Sequence, residues 1–145
     1  MENFDLLSIN WDNEPRRLER AKVVAKEIIN NISGLKELTA FEYGCGMGLL
    51  SFCLQPYLNK IILGDNSDGM LSLLEQKIQS NNITNMKPLK IDLSVDDLPK
   101  INSDIIYTLM TLHYIVGIDR VYLSIICYKT ANFRERFREK HLNKW

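Results

Sequence analysis

The segment Glu42-Tyr43-Gly44-Cys45-Gly46-Met47-Gly48 places a carboxylate two positions before three alternating glycines. Glycine lacks a Cβ, so such a turn can reach positive φ and let a ligand approach the main chain. An apolar run leads into the turn, and a second one, Leu49 to Leu54, reads as a helix directly after it. The N-terminus of a helix offers free N–H groups to a bound group. Strand, glycine turn and helix therefore make a corner suited to a nucleotide-type ligand. A second carboxylate ends the short apolar run Lys60-Ile61-Ile62-Leu63-Gly64-Asp65. Asp65 follows Gly44 by twenty-one residues, near the offset of about 20 residues expected of a ribose-binding acid at the end of a second strand. A carboxylate suits a ribose diol because it accepts two hydrogen bonds from it. A third run, Leu89-Lys90-Ile91-Asp92-Leu93, also reaches an acid at the end of a strand.

The spacing narrows the ligand. A dinucleotide fingerprint reads G-x-G-x-x-G/A. Here Leu49 stands at its third glycine and would crowd helix against strand. That disfavours a Rossmann-type oxidoreductase. The pattern G-x-G-x-G with Glu42 two residues ahead resembles motif I of the class I S-adenosylmethionine (SAM)-dependent methyltransferases. In that family the acid and the turn handle the amino-acid end of SAM. Asp65-Asn66-Ser67-Asp68-Gly69-Met70-Leu71 resembles the family's D-x-S-x-x-M-L segment, which implies that Asn66 and Met70 pack near the adenine. Asp92, with Leu93 beside it, matches the partner of the adenine amino group. Ser103 to His113 resembles the fourth strand and the loop beyond it.

Phe4-Asp5, Trp11-Asp12 and Pro15-Arg16-Arg17 are similar to a lead-in that caps the SAM pocket in the small-molecule branch, which includes quinone-biosynthesis enzymes. The resemblance runs from about residue 4 to 118. It implies an α/β fold, a Rossmann-like parallel sheet in the order 3-2-1-4 with helices on both faces. It implies a transferase that uses SAM, releases S-adenosylhomocysteine and methylates a small molecule. The cofactor set it implies is Glu42, Tyr43, Gly44, Cys45, Gly46, Gly48, Asp65, Asn66, Met70, Asp92 and Leu93. The segment Thr108-Leu109-Met110-Thr111 lacks the Asn-Pro-Pro-Tyr type of motif, which argues against methylation of a base amino group.

The elements that position these residues alternate along the chain. Pro15 suits the first turn of a helix. Leu18, Ala21, Val24, Ala25, Ile28, Ile29 and Ile32 recur at three- and four-residue steps and mark one buried helical face. Gly34 fits a C-terminal cap. Leu38–Tyr43 reads as strand one, Ile61–Gly64 as strand two, Met86–Ile91 as strand three and Asp104–Leu109 as strand four. A helix from Ser67 to about Gln79 carries Met70, Leu71, Leu73, Leu74 and Ile78 on its apolar side. Strands alternating with helices of this length give right-handed βαβ units and a parallel sheet.

Length and composition are those of one globular domain: 145 residues, 46% apolar and 25% charged. The expected organisation is a lid and helix over 1–35, a Rossmann-like core over 36–118 and a divergent helical tail over 119–145. Eighteen basic and eighteen acidic residues balance, which leaves no electrostatic footprint for nucleic acid. No apolar run reaches the roughly 20 residues of a membrane span. The acidic, polar start Met1-Glu2-Asn3 does not read as a secretory signal, so a cytoplasmic protein is expected. Cys45, Cys53 and Cys127 show neither a disulfide framework nor zinc-ligand spacing, and no metal is expected. After about Lys129 the family pattern stops. Its last three strands are absent, and strand four becomes an edge that the tail or a second copy of the chain would cover.

Single residues keep two readings each. Glu42 either ends a strand in solvent or serves SAM. Asp92 either starts a turn or meets adenine. Tyr43 either walls the pocket or belongs to the core, and Cys45 fills space in the turn. Arg16 either steadies the SAM carboxylate from the lid or is solvated. His113 lies beyond the carboxyl end of strand four, where open α/β sheets hold ligands. It either lines that region or takes a proton from the acceptor. A methyltransferase-like domain that binds SAM without catalysis is the alternative to the enzyme.

Overall fold

Pro15 opens the first helix, α1 (Pro15–Asn31), and sits in its first turn, where a missing N–H costs nothing. In the computed structural model, residues 14–112, 115, 117–121, 123 and 125 are described. The lead-in Phe4-Asp5 and Trp11-Asp12, the candidate base His113 and the tail after residue 125 lie outside the described residues. Ala21 and Ala25 are the buried positions of α1, and their small side chains let it lie close on its neighbours. Leu18, at the exposed start of the helix, is not part of that buried face. The Ile32 N–H closes the helix on the Ile28 carbonyl at 3.0 Å. Gly34 is therefore not its cap. With φ +70° it instead turns the chain into the short 3-10 helix Leu35–Glu37.

Four strands follow: β1 (Thr39–Tyr43), β2 (Lys60–Asp65), β3 (Met86–Lys90) and β4 (Ile105–Tyr107). They form one parallel sheet in the order β3-β2-β1-β4, as the sequence predicts. Between β1 and β2 runs α2 (Leu49–Leu54), which ends in a 3-10 turn around Pro56. Between β2 and β3 runs α3 (Asp68–Ser80), capped by Ser67, whose Oγ accepts from the Met70 N–H at 3.1 Å.

Side chains alternate across the sheet, as the pleat requires. Ala40, Ile61 and Leu63 face Ala21, Ala25, Leu50, Leu54, Leu71, Leu74 and Ile78. All three helices cover this face. Phe41, Tyr43 and Ile62 face the other way, onto Ile91, Leu93 and Val121. Val121 lies in the described helical positions 118–121, 123 and 125, and it is fully buried in the same cluster that Ile106 of β4 joins. Leu123 is exposed.

β4 is shorter than the six residues expected. Its last register pair is Glu42↔Tyr107. β1 itself ends at Tyr43 and turns at Gly44, so it offers Leu109 no continuing ladder. Asp104 fixes the other end, where its Oδ2 accepts from the Thr39 N–H at 2.9 Å and its N–H donates to the Thr39 carbonyl at 2.7 Å.

Gly64 in β2 sits under two side chains of the second face. A Cβ there would stand 2.7 Å from Phe41 Cε2 and 2.8 Å from Ile91 Cγ2. Overpacking of this kind costs about 1–3 kcal/mol. Gly64→Ala should therefore lower the urea unfolding free energy by about that much. A loss below about 0.5 kcal/mol, the size of a neutral surface change, would show that the Phe41 ring moves aside freely.

Candidate functional site

The glycine turn at the carboxyl end of β1 has all three glycines at positive φ. Gly44, Gly46 and Gly48 have φ of +66°, +52° and +74°, in the left-handed region that side chains disfavour. A Cβ on Gly48 would lie 3.1 Å from both Leu63 Cδ2 and Leu74 Cδ1, so this glycine lets the start of α2 approach the sheet and α3. The Gly44 and Cys45 N–H groups both donate to the Gly64 carbonyl, at 2.7 and 3.1 Å, which ties the turn to β2. At Gly44 the absent side chain admits Thr111, not a ligand. A Cβ there would fall 2.0 Å from Thr111 Cγ2. Thr111 Oγ1 donates to the Gly44 carbonyl at 2.8 Å. No spacing in the sequence points to Thr111, because the contact joins residues far apart in the chain.

Asp65 ends β2 and holds two turns at once. Its Oδ2 accepts from the Gly46 N–H at 2.8 Å, and its Oδ1 accepts from the Ser67 N–H at 2.9 Å. A carboxylate has about four acceptor positions, so these bonds leave it capacity to accept from a ligand. Burial pushes the Asp65 carboxyl above its usual range, against the pull of hydrogen bonds from Ser67, Gly46 and Asn66 and of the Lys90 charge. Asp92 stands nearby at the end of the third strand. Its Oδ1 accepts from the Ser94 N–H and hydroxyl at 2.9 and 2.6 Å, and its Oδ2 from Asn66 Nδ2 at 3.2 Å. Partial burial raises Asp92, but the bonds from Ser94 and Asn66 and the Lys90 charge outweigh it and hold the carboxyl below its ordinary value. Lys90 Nζ reaches the Asn66 carbonyl at 2.6 Å and Asp68 at 2.8 Å. The β2 and β3 ends thus bring Asp65, Asn66 and Asp92 into one cluster.

Glu42 lies beneath the turn and not in solvent, with 2% of its surface exposed. Ser51 of α2 donates to its Oε2. The Tyr107 hydroxyl lies 2.8 Å from Ser51 Oγ and shares a hydrogen bond with it. Burial pushes Glu42 from its ordinary 4.5 up to about 8, with a further push from Asp65 and a counter-pull from Ser51. Burial also raises Tyr107, with Glu42 adding to it.

The remaining expected site residues are packed. Tyr43 is buried in the second-face cluster, 6.5 Å from Phe41 between ring centroids, and its hydroxyl accepts from the Leu93 N–H at 3.1 Å. Burial pushes that hydroxyl to about 12. Leu93 is fully buried against the same face, with its N–H already engaged by Tyr43. Met70 is buried at the start of α3. Cys45 is buried among core side chains, and burial raises its thiol well above the usual range. Arg16 is exposed at the start of α1. Among the described residues no group of three or more His, Cys, Asp or Glu could hold a metal ion, and no helix is long and apolar enough to cross a membrane.

Solved structures of other proteins share this fold. A candidate SAM-dependent methyltransferase of Methanococcus maripaludis aligns over 88% of this chain and 59% of its own, with a TM-score of 0.75 and 20% identity. A SAM-dependent methyltransferase of Aquifex aeolicus aligns over 81% and 63%, with a TM-score of 0.66 and 24% identity. The chain has the Rossmann-like fold of the SAM-dependent methyltransferases. In sequence, an uncharacterized methyltransferase of Schizosaccharomyces pombe is 31% identical over 70 residues, which cover 48% of this chain and a quarter (25%) of that protein. No protein-family model matches.

The Glu42 environment sets a pH signature. A carboxyl raised from 4.5 to about 8 on folding binds more protons folded than unfolded over that window. Its contribution is fully present below the unfolded value and is lost as pH rises through the folded one. Stability of the wild type should therefore carry a falling component between those values, and Glu42→Gln should lack it. Urea titrations at several pH values give the comparison. Parallel pH profiles for the two proteins would mean that Glu42 ionises freely in the fold.

Proposed function

We propose that this chain binds SAM and transfers its methyl group to a small-molecule acceptor, leaving S-adenosylhomocysteine. The observation that carries this reading is the bridge from Asp65 to the Gly46 N–H. It sets an acid with acceptor capacity directly beside the glycine turn, at the carboxyl ends of the strands, the end of an open α/β sheet that binds ligands. In this reading Asp65 holds the ribose hydroxyls, and Asn66 and Asp92 face the adenine. The Gly44–Gly48 turn receives the amino-acid end, with Glu42 behind it. Tyr43, Met70 and Leu93 shape the pocket from within the core.

SAM supplies the reactive methyl through its own sulfonium charge. The chain's residues then have only to align the acceptor in line with it and to exclude water. Cytoplasmic location and a role for His113 with the acceptor remain parts of the same proposal.

A second reading is a SAM-binding module that does not turn over alone. It is favoured by coverage: the chain spans about a quarter of the relative it matches in sequence, and under two thirds of the two structures. Titration calorimetry with SAM, S-adenosylhomocysteine and NAD tests cofactor binding, and a methyl-transfer screen over small acceptors separates the two readings. Binding of NAD in preference to SAM would overturn both.

Asp65→Ala removes charge-assisted hydrogen bonds, each about 1.5–3 kcal/mol. SAM affinity should fall at least about tenfold, one decade per 1.4 kcal/mol. Unchanged affinity with an intact fold would sink the ribose assignment.

A further inference from the structure

The segment after β4 meets the glycine turn at Thr111. Its Oγ1 lies 2.8 Å from the Gly44 carbonyl and 3.2 Å from the Leu109 carbonyl. A hydroxyl carries one proton, and Gly44 is the nearer acceptor. The Thr111 methyl occupies the space that any side chain at Gly44 would need. Met110, immediately before it, has φ +58°, a left-handed conformation uncommon outside glycine. That conformation belongs to the stretch that delivers Thr111 onto Gly44. Two residues further along the same turn, the Gly46 N–H binds Asp65. A rotation of the Gly44 peptide would therefore displace the Gly46 N–H that holds Asp65.

We propose that Thr111 is a positioning residue: its hydroxyl fixes the Gly44 peptide, so that the segment after β4 sets the shape of the glycine turn and with it the affinity for SAM. The inference rests on the proposed SAM-binding function. A carbonyl oxygen has a second lone pair, so Gly44 can hold Thr111 and still accept from a ligand. Without the hydroxyl, the turn has more freedom to lose when the ligand binds, and that ordering weakens affinity.

Thr111→Val keeps the shape and removes the hydroxyl; Thr111→Ser keeps the hydroxyl and removes the methyl. SAM titration calorimetry and amide hydrogen exchange at residues 45–48 compare both with wild type, after thermal melts confirm folding. The Val variant should bind SAM about three- to tenfold more weakly, the range of one neutral hydrogen bond, and exchange faster in the turn. The Ser variant should restore affinity to within about twofold of wild type. Thr111→Ala carries the same expectation as Val should the Val variant fail to fold. Wild-type affinity in the Val variant overturns the inference. So does a Ser variant as weak as Val, which would assign the effect to packing of the whole side chain. If the wild type takes up no SAM, the proposed function falls, and exchange alone decides the positioning role. Faster exchange that Ser reverses then supports it, and unchanged exchange in Val overturns it.

Discussion

The Asp65 carboxylate is the interaction on which the site depends. Burying a charged group is expensive unless it is hydrogen-bonded. Here the bonds come from the main chain of two different turns, Gly46 after β1 and Ser67 before α3. Meeting the needs of one carboxylate therefore fixes two loops. Lys90, from the far side of β2, adds its charge and also binds the Asn66 carbonyl. The carboxyl ends of β3, β2 and β1 are joined in this way into one rim.

Glu42 shows how differently a second carboxyl behaves when its surroundings change. It lies on the helix-covered face, under α2, with hydroxyls for company: Ser51 bonds to it and Tyr107 bonds to Ser51. Asp65, the charged group that acts on it, is of like sign. Desolvation and like charge both favour the neutral acid. Asp92, more exposed and bonded by Ser94 and Asn66, is held ionised. Three acids that look alike in the sequence therefore occupy three electrostatic settings within one site.

The two faces of the sheet divide the remaining work. The face of α1, α2 and α3 carries most of the buried apolar residues and holds the glycine turn from below through Gly48. The other face is built around Phe41 and Tyr43, and the Tyr43 hydroxyl takes the Leu93 N–H. Both residues are buried in this cluster. The bond fixes the main chain next to Asp92.

The strand order was implied by the resemblance to the SAM-dependent methyltransferases; the residues by themselves determined the alternation of elements, the parallel sheet and the place of the three glycines, Asp65 and Asp92. These are local: apolar periods of two and of about 3.6, glycines at a strand end, and acids at the ends of apolar runs. Boundaries that depend on a partner were less legible. β4 stops at Tyr107 because β1 turns away, and Ile32, not Gly34, closes α1. Only the tertiary structure decided which carboxyl is pushed toward its neutral form, that Tyr43 binds Leu93 and that Thr111 lies on Gly44. The reason is physical. Burial, desolvation and hydrogen bonds between residues fifty or more positions apart, such as Tyr43 with Leu93 and Gly44 with Thr111, depend on distances that exist only once the sheet has assembled.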